Sequence, residues 1–206
     1  ADSLSSSELD KLFDIIYQKG TNYTKFIDTS KKNKMMVVNT NIDYSFNNLP
    51  NPSESNLRFT YSNISENLLK QIIEIVNESC EYIYLSTYSI VGLKDIQELV
   101  KALENAISRK VKVIIFCRGM NYRNDHLQAT EELAKIGCNI YGNYDNHSKG
   151  LISEKTGLIF TANIDGNHGL INGFEIGYKL DEKQRKYFLD FHKYLINHSN
   201  YKFILS

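Results

Sequence analysis

Four polar side chains in the segment 146–163 could together attack and hold a phosphate group. His147 and Lys149 stand two residues apart, and Thr161 and Asn163 follow a run of apolar residues. An imidazole can attack phosphorus, while lysine and asparagine can hold the non-bridging oxygens of a phosphate. The residue types therefore indicate phosphoryl chemistry, provided that the fold brings the four side chains together.

A β-hairpin is the element that would bring them together. The sequence predicts a strand over Asn146–Ser153, in which residues two apart point to the same face, so His147 and Lys149 project together. After a turn around Glu154–Gly157, the return strand brings the second polar pair back to the level of the first. The glycine-containing loop at 166–169 is small enough to leave the site open.

A purely structural interpretation of this hairpin stays open on these residues alone. A His-x-Lys pair occurs by chance in many proteins, and a hairpin can contain one without any chemistry. The motifs around the pair, and their order, decide between the two interpretations.

Composition and charge exclude several classes of protein. The 206 residues are 42% apolar and 23% charged, which is typical of a globular chain and not of a disordered one. No apolar run approaches the roughly 20 residues that cross a bilayer, so no stable membrane association is expected. The formal net charge is zero, whereas proteins that coat nucleic acid are usually basic. A phosphate-bearing partner must therefore be held by a local site.

The first quarter of the chain is predicted to be an extension. Residues 1–54 contain an amphipathic helix over 3–19 and a strand-like segment over 35–46. Pro50 and Pro52, the two prolines of the chain, mark the boundary with the main domain.

Residues 55–206 are predicted to form an α/β domain. Helices with a 3.6-residue period alternate with strands, including a continuous apolar strand over Val111–Cys117. Asp181 and Gln184 form a capping box in front of the last helix. This alternation predicts a sheet flanked by helices.

The ordered motifs of this domain resemble those of the phospholipase D superfamily. The signature of that superfamily runs from His-x-Lys through an acidic residue to Gly-Ser-x-Asn, with a Glu downstream in a Phe-Glu-hydrophobic-Gly strand. The corresponding residues here are His147-Ser148-Lys149, Glu154, Phe160-Thr161-Ala162-Asn163 and Phe174-Glu175-Ile176-Gly177. The resemblance covers roughly residues 57–195, and it implies an α/β fold with a mixed β-sheet sandwich flanked by helices.

The resemblance also implies a reaction and the residues that carry it. The expected activity is that of a hydrolase, a metal-independent phosphodiesterase that forms a phosphohistidine, and small members with one motif are more often nucleases. The implied catalytic residues are His147, Lys149, Asn163 and Glu175, with Glu175 as the acceptor for an imidazole N–H. The implied substrate-binding residues are Thr161, Ser148 and His168. No metal and no cofactor are expected.

Two positions depart from the signature. Glu154 stands where an Asp is usual, at a position expected to be structural. Phe160 and Thr161 replace Gly-Ser, so the hydroxyl is kept, but Phe160 is expected to fill space near the pocket.

A single copy of His-x-Lys implies an assembly of two chains. The mechanism needs two imidazoles, and none of the other four histidines is followed by Lys at the second position. A homodimer is therefore expected, with one composite site lined by His147, Lys149, Asn163 and Glu175 of both chains. Nucleic acid is the expected substrate.

Two other functions stay open. The first is a phospholipase or phosphatidyl transferase, although the sequence contains no amphipathic membrane-binding helix with a basic face. The second is a catalytically weak nucleic-acid-binding or oligomerisation module of a larger defence or restriction protein. The sequence begins with Ala1 and not with Met, so further domains of a longer chain are an expectation.

The remaining histidines and the cysteines receive structural interpretations. His126, His192 and His198 are predicted to be solvated residues on helix surfaces or ends. Ser86 is predicted to pack in the core or at its edge. The three cysteines are predicted to be free, buried thiols, which indicates a reducing, cytoplasmic compartment.

Overall fold

The computed structural model describes residues 3–19, 55–61, 65–119 and 123–205. The chain divides into two compact units, Ala1–Ser55 and Asn56–Ser206. In the first unit, helix α1 spans Ser3–Lys19, as the sequence predicts. The strand-like segment and the two prolines predicted for this unit lie outside the described residues.

The second unit alternates short strands with four helices among its described residues. The helices are α2 (Asn67–Glu78), α3 (Gln97–Ser108), α4 (Asn124–Lys135) and α5 (Glu182–Asn197). The first six strands are β1 (Leu57–Tyr61), β2 (Ser65–Glu66), β3 (Tyr82–Ser86), β4 (Ile90–Val91), β5 (Lys112–Cys117) and β6 (Asn139–Gly142). The last five are β7 (Gly150–Ser153), β8 (Gly157–Phe160), β9 (Ile164–Asp165), β10 (Phe174–Lys179) and β11 (Tyr201–Lys202).

Within the described residues, nine of these strands form one mixed sheet. Their order is β11-β6-β5-β3-β7-β8-β10-β1-β2, and β4 pairs with β9 in a separate two-stranded sheet. Strands β3, β5 and β6 are parallel, because a helix connects each one to the next. Strands β7, β8 and β10 are antiparallel neighbours, with a short turn between β7 and β8 and a longer loop that contains β9 between β8 and β10. The predicted mixed sheet flanked by helices is confirmed.

Alternate residues of the central strand β3 point to opposite faces of the sheet, and different helices cover these two faces. Ile83 and Leu85 are buried in the apolar core that also contains the inward faces of α2 and α3. Tyr84 and Ser86 point to the opposite face, where α5 lies. Both faces of the central strands are therefore covered.

Helix α5 is fixed on the sheet through a buried histidine. Its start has the predicted capping box between Asp181 and Gln184. His192 is buried, with Nδ1 3.0 Å from the carbonyl oxygen of Phe188 and Nε2 3.1 Å from Ser86 Oγ. Burial lowers the pKa of His192 to about 4, so the imidazole is neutral at physiological pH.

The prediction that His192 and His126 are solvated is therefore wrong. His126 is also buried, and its Nδ1 accepts a hydrogen bond of 2.9 Å from the backbone N–H of Ile90. Both imidazoles meet partners far away in the sequence, which the local helix pattern does not reveal. His198, in contrast, is exposed as predicted.

The cysteines are free but not all buried. Cys117 and Cys138 are buried, and burial raises the pKa of both thiols to about 12. Cys80 is exposed because it lies in the short turn between α2 and β3. The prediction that this thiol is buried is therefore wrong. Among the described residues, no helix has both the length and the apolar character needed to cross a bilayer.

Candidate active site

The candidate residues lie around one edge of the central strands. Parallel strands β3 and β5 both end there, and antiparallel β7 begins there, because Gly150 pairs with Ser86. Strand β8 ends at the same edge, because Gly150 also pairs with Ile159. The carboxyl edge of parallel strands is where α/β sheets usually place a ligand site.

His147 is presented by a short loop that its two neighbours hold in place. Asn146 is buried, and its Nδ2 donates a hydrogen bond of 2.8 Å to the carbonyl of Thr87. The Oδ1 of Asn146 accepts from the hydroxyl of Ser148 at 2.6 Å and from its backbone N–H at 3.2 Å. The backbone that carries the exposed imidazole of His147 is thus held on both sides. The hydroxyl of Ser148, predicted to bind substrate, is engaged within this loop.

Lys149 folds back onto His147. Its Nζ lies 3.3 Å from Nδ1 of the imidazole and donates to the backbone carbonyl of His147 at 3.0 Å. An ammonium has donors only, so we assign Nδ1 as an unprotonated acceptor. The strand predicted over Asn146–Ser153 begins only at Gly150, yet the two side chains do lie together.

Tyr88 lies beside His147 and is contacted by Arg118, and neither residue was predicted from the sequence. The ring of Tyr88 meets the imidazole edge-on, with ring centroids 4.9 Å apart. The guanidinium of Arg118 lies 4.9 Å from the Tyr88 ring centroid and donates to the Tyr88 hydroxyl. The available signal was positional, because Tyr88 closely follows β3 and Arg118 directly follows β5 at the carboxyl edge of these parallel strands.

Thr161 directly after β8 and Glu175 in β10 form a polar pair, and the charge of Glu175 acts on Lys149. The hydroxyl of Thr161 donates to the carboxylate of Glu175 and accepts from the backbone N–H of Ile176 at 3.0 Å. Burial raises the pKa of Glu175, while Thr161 and the charge of Lys149 act in the opposite direction. Burial lowers the pKa of Lys149, and the charge of Glu175 opposes that change.

The contacts of Glu175 differ from the predicted contact with an imidazole. In the described part of the chain, no hydrogen bond joins the Glu175 carboxylate to His147. Within one protomer, the Glu175 carboxylate instead accepts a hydrogen bond from Thr161 and raises the pKa of Lys149 through its charge.

The side-chain oxygen of Asn163 is not used by the fold. This Oδ1 atom is buried and has no hydrogen-bond partner among the described residues. An unpaired buried amide oxygen costs about 1–3 kcal/mol, so the fold alone gives no reason for asparagine at this position.

Thr87 connects the loop that carries His147 with the loop that carries Asn163. Its carbonyl accepts from Asn146 in the His147 loop, and its hydroxyl accepts from the backbone N–H of Ile164 at 3.0 Å. Because Ile164 directly follows Asn163, one buried residue sets the relative position of both loops.

The solved structures with the same arrangement of elements identify this fold. Nuc from Salmonella typhimurium, described as a phospholipase D family member, has a TM-score of 0.61 at 17% identity, over 72% of this chain and 98% of Nuc. NucT from Helicobacter pylori has a TM-score of 0.55 at 18% identity, over 69% of this chain and 96% of NucT. The chain has the phospholipase D fold.

A larger protein has this phospholipase D fold in part of its length. Phosphatidylserine synthase from Haemophilus influenzae has a TM-score of 0.50 at 15% identity, over 67% of this chain and 36% of the synthase. No protein-family model and no curated protein matches the sequence of this chain.

The two departures from the phospholipase D signature are accommodated away from the imidazole. Phe160 belongs to the buried core, so the expectation that it fills space near the pocket is wrong. Its side chain alternates with Thr161, which is exposed at the site edge. The sheet pleat thus separates the bulky substitution from the retained hydroxyl.

Glu154 lies at the opposite end of β7 from Lys149 and has a structural role. Its carboxylate accepts hydrogen bonds from the backbone N–H groups of Cys80 at 2.7 Å and Glu81 at 3.3 Å. Burial raises the pKa of Glu154, but these bonds outweigh it, and the pKa lies below its ordinary value. The carboxylate therefore fixes the start of β3.

His168 organises the loop after the site through its backbone. Its carbonyl accepts from the N–H of Asn172 at 2.8 Å and of Gly173 at 2.6 Å, and its side chain is exposed. A substrate-binding role for its imidazole stays a prediction. Within the residues that the structure describes, no group of three His, Cys, Asp or Glu side chains could hold a metal ion.

Proposed function

We propose that this protein is a metal-independent phosphodiesterase that acts on nucleic acid through a phosphohistidine at His147. The observation that carries the proposal is the pairing of His147 with Lys149, 3.3 Å apart at the carboxyl edge of the sheet. The side-chain Nδ2 of Asn163 adds a neutral hydrogen-bond donor. Together these side chains supply a nucleophile, a cation and a neutral donor, the set that a phosphodiester needs.

The reaction proceeds in two displacements at phosphorus. Lys149 turns from the imidazole to a non-bridging oxygen, which frees the imidazole lone pair for attack. A nitrogen–phosphorus bond forms at His147, the bond to the leaving oxygen breaks, and a second imidazole gives that oxygen a proton. The second imidazole then takes a proton from water, the water oxygen bonds to phosphorus, and the bond to His147 breaks.

The second imidazole belongs to His147 of the partner subunit in this proposal. His126 and His192 are buried and engaged in hydrogen bonds, so neither can serve as the acid, and the exposed His168 and His198 are the alternatives within one protomer. A two-fold axis through the site would bring two copies of His147 together and double the number of lysines at the phosphate. The active form is then a homodimer with one composite site.

Nucleic acid is proposed over lipid because of the share of each similar structure that the chain covers. The chain covers nearly the whole of Nuc and NucT but about a third of the phosphatidylserine synthase. A panel of DNA, RNA, phosphatidylcholine vesicles and a chromogenic phosphodiester distinguishes these substrates. Hydrolysis of lipid alone would favour the phospholipase alternative, and hydrolysis of none would favour a binding module.

Hydrolysis should continue in excess EDTA, because the cationic side chains of the site balance the phosphate charge. The measurement compares initial rates on one oligonucleotide with EDTA and with Mg²⁺, using a metal-dependent nuclease as the control for chelation. Activity that disappears with EDTA and returns with Mg²⁺ would refute the proposed mechanism.

Mixing the wild-type chain with excess His147→Asn chain should inhibit the wild-type subunits. With random pairing in a ninefold excess of the variant, about one wild-type subunit in ten finds a wild-type partner, so activity per wild-type subunit falls about tenfold. The measurement uses co-refolded mixtures, with sedimentation to establish that they are dimers. Unchanged activity per wild-type subunit would place the second acid within one protomer.

Replacement of Glu175 by Gln should move the alkaline limb of the kcat/KM profile to lower pH. The reaction needs the cationic form of Lys149, whose pKa is lowered by burial and raised by Glu175. Loss of the negative charge lowers that pKa further, so activity is lost at a lower pH. Turnover at neutral pH should fall roughly tenfold, or about 1.4 kcal/mol, with a smaller effect on substrate binding.

The exposed Glu98→Gln variant on α3 is the matched control for this experiment. It removes the same charge from a residue that does not act on the pKa of Lys149, and it should leave the profile unchanged. An alkaline limb that stays in place in Glu175→Gln, or moves to higher pH, would contradict the role assigned to Glu175.

A further inference from the structure

A cavity of about 350 Å³ opens directly beside His147. The loop that carries His147 forms one side of it, and the last turns of α5 form the other. Phe116 from β5 is almost fully buried and contributes to the wall between them. The cavity therefore continues from the site where the phosphate is attacked.

The side chains from α5 give this cavity an aromatic lining. Phe191 and Tyr194 line it and are 42% and 59% exposed, so a large part of each side chain is open to a ligand. Tyr194 is stacked on His198 with ring centroids 3.9 Å apart, which holds the ring in one orientation. Exposed aromatic rings held in this way are the usual platforms for nucleobases, worth about 1–3 kcal/mol for each base.

The lining of the cavity does not favour a second phosphate. None of the described residues that line it is a lysine or an arginine, and Asp145 lies in the lining with its side chain exposed. A carboxylate repels phosphate and accepts hydrogen bonds from exocyclic amines such as N4 of cytosine. The cavity volume lies within the range of small-ligand sites, and its aromatic walls suit a planar ligand.

We propose that this cavity is a nucleobase subsite, which stacks the base adjacent to the phosphate attacked by His147. The base lies against Tyr194 and Phe191, and Asp145 favours bases that carry an exocyclic amine over uracil and thymine. This inference rests on the proposed function, because it assigns the nucleotide next to the reacting phosphate.

The test compares two oligonucleotides that differ at one nucleotide. One has a cytosine beside the cleaved phosphate, and the other has an abasic tetrahydrofuran on the same backbone. Tyr194→Ala should lower kcat/KM about tenfold on the first and leave it unchanged on the second. The control is Tyr187→Ala, which removes an exposed tyrosine of the same helix outside the cavity and should change neither rate.

The role of Asp145 is tested by base preference. Wild-type protein should cleave the cytosine substrate faster than its uracil counterpart, and Asp145→Ala should bring the two rates close to equality. A ratio that Asp145→Ala leaves unchanged would overturn the assignment of this carboxylate.

Three outcomes would overturn the subsite. Equal wild-type rates on the cytosine and abasic substrates would do so while leaving the phosphodiesterase proposal in place. A Tyr194→Ala variant that sediments as a monomer would show that this surface is a contact between copies of the chain. If wild-type protein cleaves neither substrate, the proposed function fails, and the subsite is then tested by titrating the protein with cytidine. Cytidine that fails to bind would overturn the subsite, while binding that Tyr194→Ala weakens about tenfold would support it.

Discussion

Replacement of His147 by Asn should lower kcat by at least about three orders of magnitude. A nucleophile that forms a covalent intermediate has no partial substitute, and losses of this size follow when such a residue is removed. The asparagine side chain keeps a polar group in the loop but cannot bond covalently to phosphorus. Single-turnover kinetics on an oligonucleotide measure the chemical step without contributions from product release.

The fold should tolerate this change. The imidazole is exposed, and the loop is held by the side-chain contacts of Asn146. The free energy of unfolding should therefore stay within about 0.5 kcal/mol of wild type, as is usual for surface substitutions. A folded variant that keeps most of its activity would leave the hairpin as a purely structural element.

The second large effect is expected for replacement of Asn163 by Ala, which should lower activity without lowering stability. Asn163→Ala should lower kcat about 100-fold, on the scale seen when one preorganised donor to a reacting oxyanion is removed. The free energy of unfolding should stay the same or rise, because the variant removes a buried amide oxygen that has no partner. Denaturant unfolding and steady-state kinetics on the same preparation provide the two numbers.

Asn105→Ala is the matched control for Asn163→Ala. Asn105 is exposed on α3, near the edge of the sheet where β5 begins and away from the site edge. It should leave kcat unchanged. If Asn163→Ala instead lowers stability and keeps its activity, Asn163 is a structural residue and the site loses its neutral donor.

Local patterns in the sequence were sufficient to predict the elements that carry the site. The alternation around the turn at 154–157 predicted the β7–β8 hairpin, and the spacing of Asp181 and Gln184 predicted the capping box of α5. These features depend on residues within a few positions of one another. The predicted proximity of His147 and Lys149 is also correct, although the cause is the fold of Lys149 back onto the loop.

Features that depend on distant partners could not be predicted in the same way. His192 is buried because Ser86, at the end of β3, accommodates its Nε2, and nothing in the local helix pattern indicates this pairing. Phe160 is in the core because the sheet has a covered face at that position. The contacts of Tyr88 with His147 and Arg118 likewise join residues from three separate segments.

The stereochemistry at phosphorus is the most direct test of two successive displacements through His147. The substrate is an oligonucleotide with a phosphorothioate of one configuration at the cleaved position, hydrolysed in ¹⁸O-labelled water with EDTA present. Each in-line displacement inverts the configuration, so a phosphohistidine intermediate predicts a product with net retention. Net inversion would show that water attacks the substrate directly, and it would contradict a covalent role for His147.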